Sequence, residues 1–544
     1  MTVRMRLPSW FWRREMYVVT AQQMKDMDRL TIESFGIPGL VLMENAARGA
    51  TDALFRHFPN VRSLKVGIAA GHGNNGGDGF VIARYLAGAN VPVDVYLLSK
   101  RKKVKGDAAA NLKLLDRMKV PVHEVTDVTR FESYQDKMKS CNLWIDAMLG
   151  TGLTSDVRGL FKQMITQLNA AQTPVLAVDI PSGLDSDTGK PRGCCVQATV
   201  TVTFGLPKIG HVVLPGSEFV GKLEVIDIGI PSSVVDDVGP NHYLLTQEMI
   251  TGAFQARDAQ SHKGTTGHLL VIGGSPGKTG AAMMTSQAAM RVGTGLVTLG
   301  IPKSLNVAVE SQLIEVMTLP LPENRDQTLG LSAYEKILRQ MENKDGVAIG
   351  PGMGGDKSTQ DLVRRLIRTS PVPVVVDADG LNALVGNLSF LKKLKVPVVL
   401  TPHPGEMARL VGKTVSEVQE NRIDEARSFA GTHGVHLVLK GAKTVIAHPD
   451  GAVFVNPTGN PGMASGGMGD VLTGIISGLI VQGLSVSEAV NAGVYLHGRA
   501  ADALARSMGP MGFLASDLID ILPGQIKGLK DDNPSHPKAF IRAL

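Results

Sequence analysis

The chain repeats one local pattern: a short apolar run, a glycine-bearing turn, then a segment of helical period. KVGIAAGHGNNGGDGFVIARYLAG (65–88) is the first clear case and GHLLVIGGSPGKTGAAMMTSQAAMRVGTGLVTLGIP (267–302) opens a second set. Short buried strands joined through helices pair in parallel, with the helices covering the sheet faces. An α/β fold is therefore expected, and 544 residues exceed what one core usually serves, so two domains are expected. The first holds helices over 20–58, broken at Gly36-Ile37-Pro38-Gly39, then strand ends at NLWIDAMLGTG (142–152) and PVLAVDIPSGLDSDTG (174–189), closed by ATVTVTFG (198–205) and GKLEVIDIGIP (221–231). Residues 232–245 mix Ser, Asp, Gly and Pro without periodicity and read as a linker. The expected division is an extension at 1–16, a first domain at 17–231, the linker, and a second domain at 246–544.

Composition narrows the class of function. Hydrophobic content of 43% with 19% charged residues suits a globular chain, and 5% aromatics with 61 glycines suits tight strand-to-helix turns. The net charge of +6 is scattered, with one short run at Lys100-Arg101-Lys102-Lys103, so no nucleic-acid partner is expected. No apolar run reaches the ~20 residues of a membrane span. Three cysteines, Cys141, Cys194 and Cys195, form no metal spacing and no disulfide framework, which points to a reducing, cytoplasmic compartment. Residues 1–16 carry four arginines and three large aromatics and read as a surface extension.

In the first half, Gly71, Gly73 and Gly76 follow a strand and open a helix, the setting in which G-x-G-x-x-G approaches a phosphate. The acidic residue about 20 positions on would be Asp94, but it falls within VPVDVYLL, against a standard dinucleotide grip. Asn74, Asn75 and Asp78 distinguish this turn, since carboxamides and a carboxylate can hold a cation or a polar ring. Asp146 and Asp179 end strands, and ligands bind beyond the carboxyl ends of strands in open α/β sheets. The three loops are expected to face one crevice.

In the second half, GNPGMASGGMGDVLTGII (459–476) is a glycine-rich loop running into an apolar helix expected to open at Asp470. Free N–H groups and the positive helix end beside a carboxylate make a phosphate cradle with a base. Gly277-Lys278-Thr279 is not a P-loop, because Ile272 stands where the motif needs glycine. Other strand ends supply Gly350, Gly352 and Gly354, Asp377 and Asp379, His403 and Glu406, and Lys440-Gly441-Ala442-Lys443-Thr444. A basic, glycine-bearing turn suits nucleotide phosphates and carboxylates suit Mg²⁺. Positioning, charge neutralisation and one proton acceptor are what phosphoryl transfer needs.

These motifs carry a family resemblance. GNPGMASGGMGD resembles the anion-hole and base motif of the ribokinase-like superfamily. With GPGMG, DADGLNAL, TPHPGE and LKGAKT, the second half resembles the ADP-dependent NAD(P)H-hydrate dehydratases. GIPGLVLMENAA, GHGNNGGDG, DAMLGTG and DIPSGLDSDTG make the first half similar to the NAD(P)H-hydrate epimerases. The order is that of the fused bacterial repair enzymes. The resemblance implies a Rossmann-like three-layer α/β/α domain followed by a ribokinase-like α/β domain. It implies epimerisation of (R)- and (S)-NADHX and NADPHX, and dehydration of the S form with ADP as co-substrate, yielding NAD(P)H, AMP and phosphate.

Residue by residue, the resemblance places Asn74, Asn75, Gly76, Gly77 and Asp78 on the hydrate, with Asn75, Asp146 and Ser182 on K⁺. Gly150, Thr151, Gly152, Leu153, Thr154, Ser155 and Asp156 would bind the dinucleotide, and Asp179 would touch the reacting ring as acid or base. In the second domain Ala281, Gly352 and His403 would line the hydrate. Lys440, Gly441, Ala442, Lys443, Thr444 and Gly469 would hold ADP, with Mg²⁺ nearby, and Asp470 would take the hydroxyl proton. Thr265 and Lys278 depart from the family pattern, which has an acidic residue and an aromatic there. A homo-oligomer without a membrane partner is expected. The rival expectation is a ribokinase-like small-molecule kinase with a non-catalytic N-terminal binding domain.

Overall fold

A computed structural model describes residues 16–254 and 257–531. Of the expected extension only Met16 is described, and the end of the second domain past residue 531 lies outside the described residues. The chain divides into two compact units, Tyr17–His242 and the residues from Tyr243 on. No helix among the described residues is long and apolar enough to cross a membrane.

Seven parallel strands build the first unit: β1 (Val66–Ala70), β2 (Val93–Leu97), β3 (Val122–Glu124), β4 (Leu143–Ala147), β5 (Val175–Val178), β6 (Val200–Phe204) and β7 (Lys222–Ile226). Their order is β3-β2-β1-β4-β5-β6-β7, so the direction of winding reverses between β1 and β4. Alternate residues serve the two faces. Val66, Ile68 and Ala70 join Leu143 and Ile145 in a core under α1 (Gly39–His57) and α2 (Asn74–Gly88). Ala69, Tyr96 and Trp144 point into a second core, with Met164, Ile165 and Leu168. The result is the expected three-layer α/β/α arrangement. Residues 232–245 differ from the linker expectation: Ser232–Val238 is a helix, and Val234 and Val235 are buried in the first core. Two adjacent valines among polar residues show no period in a sequence window but suffice to dock one helical turn.

The second unit contains β8 (His268–Ile272), β9 (Leu296–Pro302), β10 (Met317–Leu321), β11 (Gly346–Ile349), β12 (Val374–Val376), β13 (Val398–Leu400), β14 (His436–Leu439), β15 (Val445–Ala447) and β16 (Val453–Val455). They run in the order β16-β15-β14-β13-β12-β11-β8-β9-β10. Neighbours from β10 to β14 are parallel, while β15 and β16 pair antiparallel. One face packs under α3 (Thr279–Arg291), α5 (Met468–Val481) and α6 (Val486–Met508), and the other face carries α4 (Pro404–Val411). The helix α5 is apolar all round because it is buried all round.

Close approach of α3 and α5 fixes the position of α5. A Cβ on Gly474 would lie 2.2 Å from the Thr285 carbonyl oxygen and 2.8 Å from Ala288 Cβ. Gly474→Ala is expected to push the helices apart and cost about 1–3 kcal/mol, read as a lowered denaturant midpoint of the second unit.

Candidate active sites

In the first unit, glycine geometry brings a helix onto the strand ends. A Cβ on Gly71 would meet the Met148 carbonyl at 2.1 Å, and one on Gly76 would meet the Gly71 carbonyl at 2.1 Å. With those positions bare, the first turn of α2 sits directly over β1 and β4, at the winding reversal. Asn75 is in that turn, and both polar atoms of its carboxamide are buried without a hydrogen-bond partner. Gly150 lies beside it, since a Cβ there would be 3.4 Å from Asn75 Cβ. At the end of β4, Asp146 is fully buried. The Ser182 hydroxyl donates to its Oδ1 (2.6 Å) and the Ser182 N–H to its Oδ2 (2.7 Å). The Leu149 N–H donates to Ser182 Oγ (2.9 Å). Burial raises the Asp146 carboxyl to about 6 against these bonds. An unpartnered buried carboxamide next to a buried carboxylate and hydroxyl is an oxygen-rich cradle that fits a cation.

A charged cluster adjoins that cradle. Asp179 follows β5 with a φ of +64°, a left-handed conformation costly for a residue other than glycine. Its Oδ1 accepts from Lys208 Nζ (2.5 Å), from Thr203 Oγ1 (3.1 Å) and from the Phe204 N–H (3.3 Å). Lys208 is 1% exposed, and its ammonium also donates to Thr203 Oγ1 (2.8 Å) and the Phe204 carbonyl (3.1 Å). Burial pushes Asp179 up, but Lys208 outweighs it and holds the carboxyl below its ordinary value. Asp78, one turn along α2 from Asn75, is driven well above the carboxylate range by burial and by the Asp179 charge. Asp28 is raised to about 6 by burial, opposed by Lys208. His211 is lowered to about 3 by burial and the Lys208 charge, and is neutral. Loop 150–156 is largely exposed beside Asn75, tied to this region by the Ser186 hydroxyl donating to the Thr151 carbonyl (3.4 Å). Sequence reasoning missed Asp28, Thr203, Lys208 and His211. Lys208 had one signal, a single charge inside the apolar run Leu206-Pro207-Lys208-Ile209.

Asp94 lies apart. Its carboxylate meets His123 Nε2 (2.9 Å) and Lys65 Nζ (3.0 Å), and these bonds lower it to about 2. It braces neighbouring strands.

In the second unit the helix opens two residues earlier than expected. Gly467 is the N-cap of α5, with a φ of +91°, and Asp470 is the third helical residue. The first intrahelical bond runs from the Val471 N–H to the Gly467 carbonyl (3.0 Å), so the preceding N–H groups are free of helix partners. Gly467 takes this left-handed cap conformation without the steric cost a Cβ would bring. Asp377, 1% exposed at the end of β12, accepts from Lys440 Nζ at Oδ1 (2.7 Å) and from Thr473 Oγ1 at Oδ2 (2.8 Å). Lys440 also faces Glu406 Oε2 (3.9 Å), and a Cβ on Gly469 would lie 3.2 Å from its nitrogen. Burial lowers the Lys440 ammonium, but Asp377 and Glu406 win and raise it. Asp470 is raised to about 7 by burial and the Asp377 charge, against Lys440.

The remaining expected residues fall around this core. His403 caps α4, accepting from the Gly405 N–H at Nδ1 (3.0 Å), while Glu406 accepts the His403 N–H (2.8 Å). A Cβ on Gly352 would meet the Lys278 carbonyl at 2.4 Å and Ala281 Cβ at 3.4 Å, so Ala281, Gly352 and Lys278 adjoin. Lys278 faces Asp379 Oδ2 (3.4 Å), which also accepts the Gly354 N–H (2.8 Å). The departure from the family pattern thus joins the carboxylate cluster. Thr444 Oγ1 donates to the Gly441 carbonyl (2.9 Å), Lys443 senses Asp502, and Ala442 is exposed between them. Arg422 supports this turn from behind, donating to the Leu439 (2.9 Å) and Lys440 (3.2 Å) carbonyls. Thr473 and Arg422 were missed by sequence reasoning, because an apolar helix and a charged helix hide each as an ordinary surface or core residue.

Comparisons with known proteins match segments of both units. A family model described as NAD(P)H-hydrate dehydratase matches residues 269–524, and one described as YjeF-related protein N-terminus matches 39–210. The bifunctional NAD(P)H-hydrate repair enzyme Nnr of Moorella thermoacetica is 44% identical over 95% of this chain and 98% of its own. This chain belongs to the bifunctional NAD(P)H-hydrate repair enzyme family. The Thermofilum pendens member is 37% identical over 95% and 97%. A solved ADP/ATP-dependent NAD(P)H-hydrate dehydratase from Bacillus subtilis, co-crystallised with ATP and Mg²⁺, is 34% identical, with a TM-score of 0.46 over 53% of this chain and 98% of its own.

Opposite stability changes are expected at the two charges of the second site. Lys440→Met strands Asp377 and Glu406 without their cation and should cost about 3–5 kcal/mol in urea unfolding. Asp470 holds its proton in the folded chain up to about pH 7, whereas an unfolded aspartate loses it near 3.8. Its contribution to stability is therefore complete below about pH 4 and lost as pH rises to 7. Asp470→Asn should leave the melting temperature at pH 8 equal or higher.

Proposed function

We infer that this chain repairs hydrated nicotinamide cofactors, the first unit interconverting (R)- and (S)-NAD(P)HX and the second dehydrating the S form. The reading rests on relatives of the bifunctional name that match both units end to end. A ribokinase-type kinase with a non-catalytic first unit is disfavoured, since those relatives include both halves and Asp179 sits in an ordered charged site.

Water added across an enamine leaves the hydroxyl on the carbon bonded to nitrogen. That carbon inverts when the C–O bond opens as nitrogen donates its lone pair and re-forms on the other face, one of the two routes open to a hemiaminal. A proton must reach the departing oxygen and another must leave the returning water. Asp179, held toward the ionised form by Lys208, beside Asp78, pushed toward the acid form by burial, supports that exchange, because environments that push two carboxyls apart supply both roles. The donor set Asn75, Asp146 and Ser182 supports K⁺, which when bound would supply positive charge beside a buried carboxylate.

In the second unit Asp470 takes the proton of the hydrate hydroxyl. The freed oxygen bonds the β-phosphorus of ADP and AMP departs. Loss of phosphate together with the neighbouring ring proton restores the dihydropyridine. A group titrating near neutrality suits a general base. Lys440, the free N–H groups of α5 and the 440–444 turn support the charge developing on the phosphoryl oxygens. Asp377 has both oxygens engaged and Asp379 Oδ2 is taken, so Mg²⁺ would be carried mainly by nucleotide phosphates. Ala281, Gly352 and His403 would line the hydrate. A cytoplasmic location is supported by three free thiols. Exposed Ile32, Phe35, Leu40 and Val41 support self-association, which light scattering would test.

Purified protein given mixed epimers should recover the full reduced-ring absorbance with ADP, releasing AMP and phosphate. Recovery that stops at the S fraction, or a stable phosphorylated product, would count against the reading. Asp470→Asn should bind ADP yet lose turnover by roughly two or more orders of magnitude. In the parent chain the dehydration rate should fall as pH drops through about 7, where Asp470 takes up its proton. A rate independent of pH between 5 and 8 (about three units, spanning that titration) would remove Asp470 as the base.

A further inference from the structure

We propose that Lys208 is a positioning residue of the epimerase reaction: its ammonium fixes the Asp179 carboxylate and directs the charge of the Asp28, Asp78 and Asp179 group onto that one side chain. This rests on the reading of Asp179 as the acid or base of the first site.

The geometry is specific. An ammonium has three hydrogens, and Lys208 spends all three on Asp179 Oδ1 (2.5 Å), Thr203 Oγ1 (2.8 Å) and the Phe204 carbonyl (3.1 Å). Thr203 passes its own hydrogen to the same Asp179 oxygen (3.1 Å). The carboxylate is thus held at one oxygen from two sides, and the Phe204 N–H approaches that oxygen too (3.3 Å). Oδ2 is left for chemistry. The lysine is placed by its backbone, whose N–H donates to His211 Nδ1 (3.1 Å). Its stem is sealed from water, so it is not a surface charge that happens to reach a neighbour.

The charge balance explains why such a lysine is needed. The groups facing Asp179 are Lys208, His211, Asp78 and Asp28. His211 is neutral, leaving three carboxyls and one buried cation. One ammonium can neutralise one carboxylate, and the direct bond assigns it to Asp179. Burial pushes both Asp78 and Asp28 toward the neutral acid, against Lys208. Without Lys208 only the Thr203 hydroxyl and the Phe204 N–H would still favour an ionised Asp179 over its neighbours.

The test is the pH profile of epimerisation, followed directly as conversion of (R)- to (S)-NADHX without ADP, so that the dehydratase unit and the Asp470 titration near 7 stay out of the rate. Lys208→Met should move the acid limb of the rate upward by about one pH unit or more and recover part of the rate at high pH. Thr203→Val keeps shape and burial but removes the relay, and should shift the limb the same way by less. A purely structural role would lower the rate equally at every pH. Profiles of unchanged midpoint in both variants overturn the proposal. If Lys208→Met does not fold, Thr203→Val alone decides, and an unshifted limb there overturns it. Asp179→Asn separates the two layers: loss of epimerisation with unshifted Lys208 and Thr203 profiles refutes the role of Lys208 alone. Retained epimerisation in Asp179→Asn refutes the reading beneath it.

Discussion

In each unit a lysine, sealed from water at Lys208 and mostly buried at Lys440, is bonded to one aspartate at the carboxyl end of a strand, amid more carboxyls than it can neutralise. Lys208 holds Asp179, and Lys440 holds Asp377. Isolated buried charges are expensive, so the pairs persist only because several further hydrogen bonds complete them. The surplus carboxyls have no such partner, and they are the ones forced toward the protonated form: Asp78 in the first unit and Asp470 in the second. A fixed anion and a displaced neutral acid are thus products of the same arrangement.

That arrangement depends on backbone proximity before it depends on side chains. Gly71 and Gly76 let α2 rest on the ends of β1 and β4, and Gly474 lets α5 cross α3 at van der Waals contact. With a Cβ at any of these points the helices would sit further out and the charged groups would face water. Screening would then flatten the differences between carboxyls on which the chemistry rests.

The sheets, the glycine turns and the strand-end aspartates were legible in the sequence, because each follows from local period and turn chemistry. So were Asn75, Asp146, Asp179, Gly352, Lys440 and Asp470 as residues at strand or helix ends. The partners were not. Lys208 is 29 positions from Asp179, and Thr473 is 96 from Asp377. No periodicity links such pairs, and only the folded sheet brings them together. The start of α5 was misplaced by two residues for a related reason: a side-chain cap at Asp470 is visible in sequence, whereas a left-handed glycine cap is not. The helix at Ser232–Val238 was hidden by its shortness and polarity.

The burial of α5 has a further consequence for how such an enzyme can change. Twelve of its fourteen residues are buried, so the element that presents Asp470 is also the centre of the core. Any substitution that would reorient Asp470 must first survive a packing defect. The 440–444 turn is different, with Ala442 exposed and Gly441 and Lys443 already in unusual backbone conformations. Substitution therefore has an open route through that turn, while Asp470 is held in place by the stability of the whole unit.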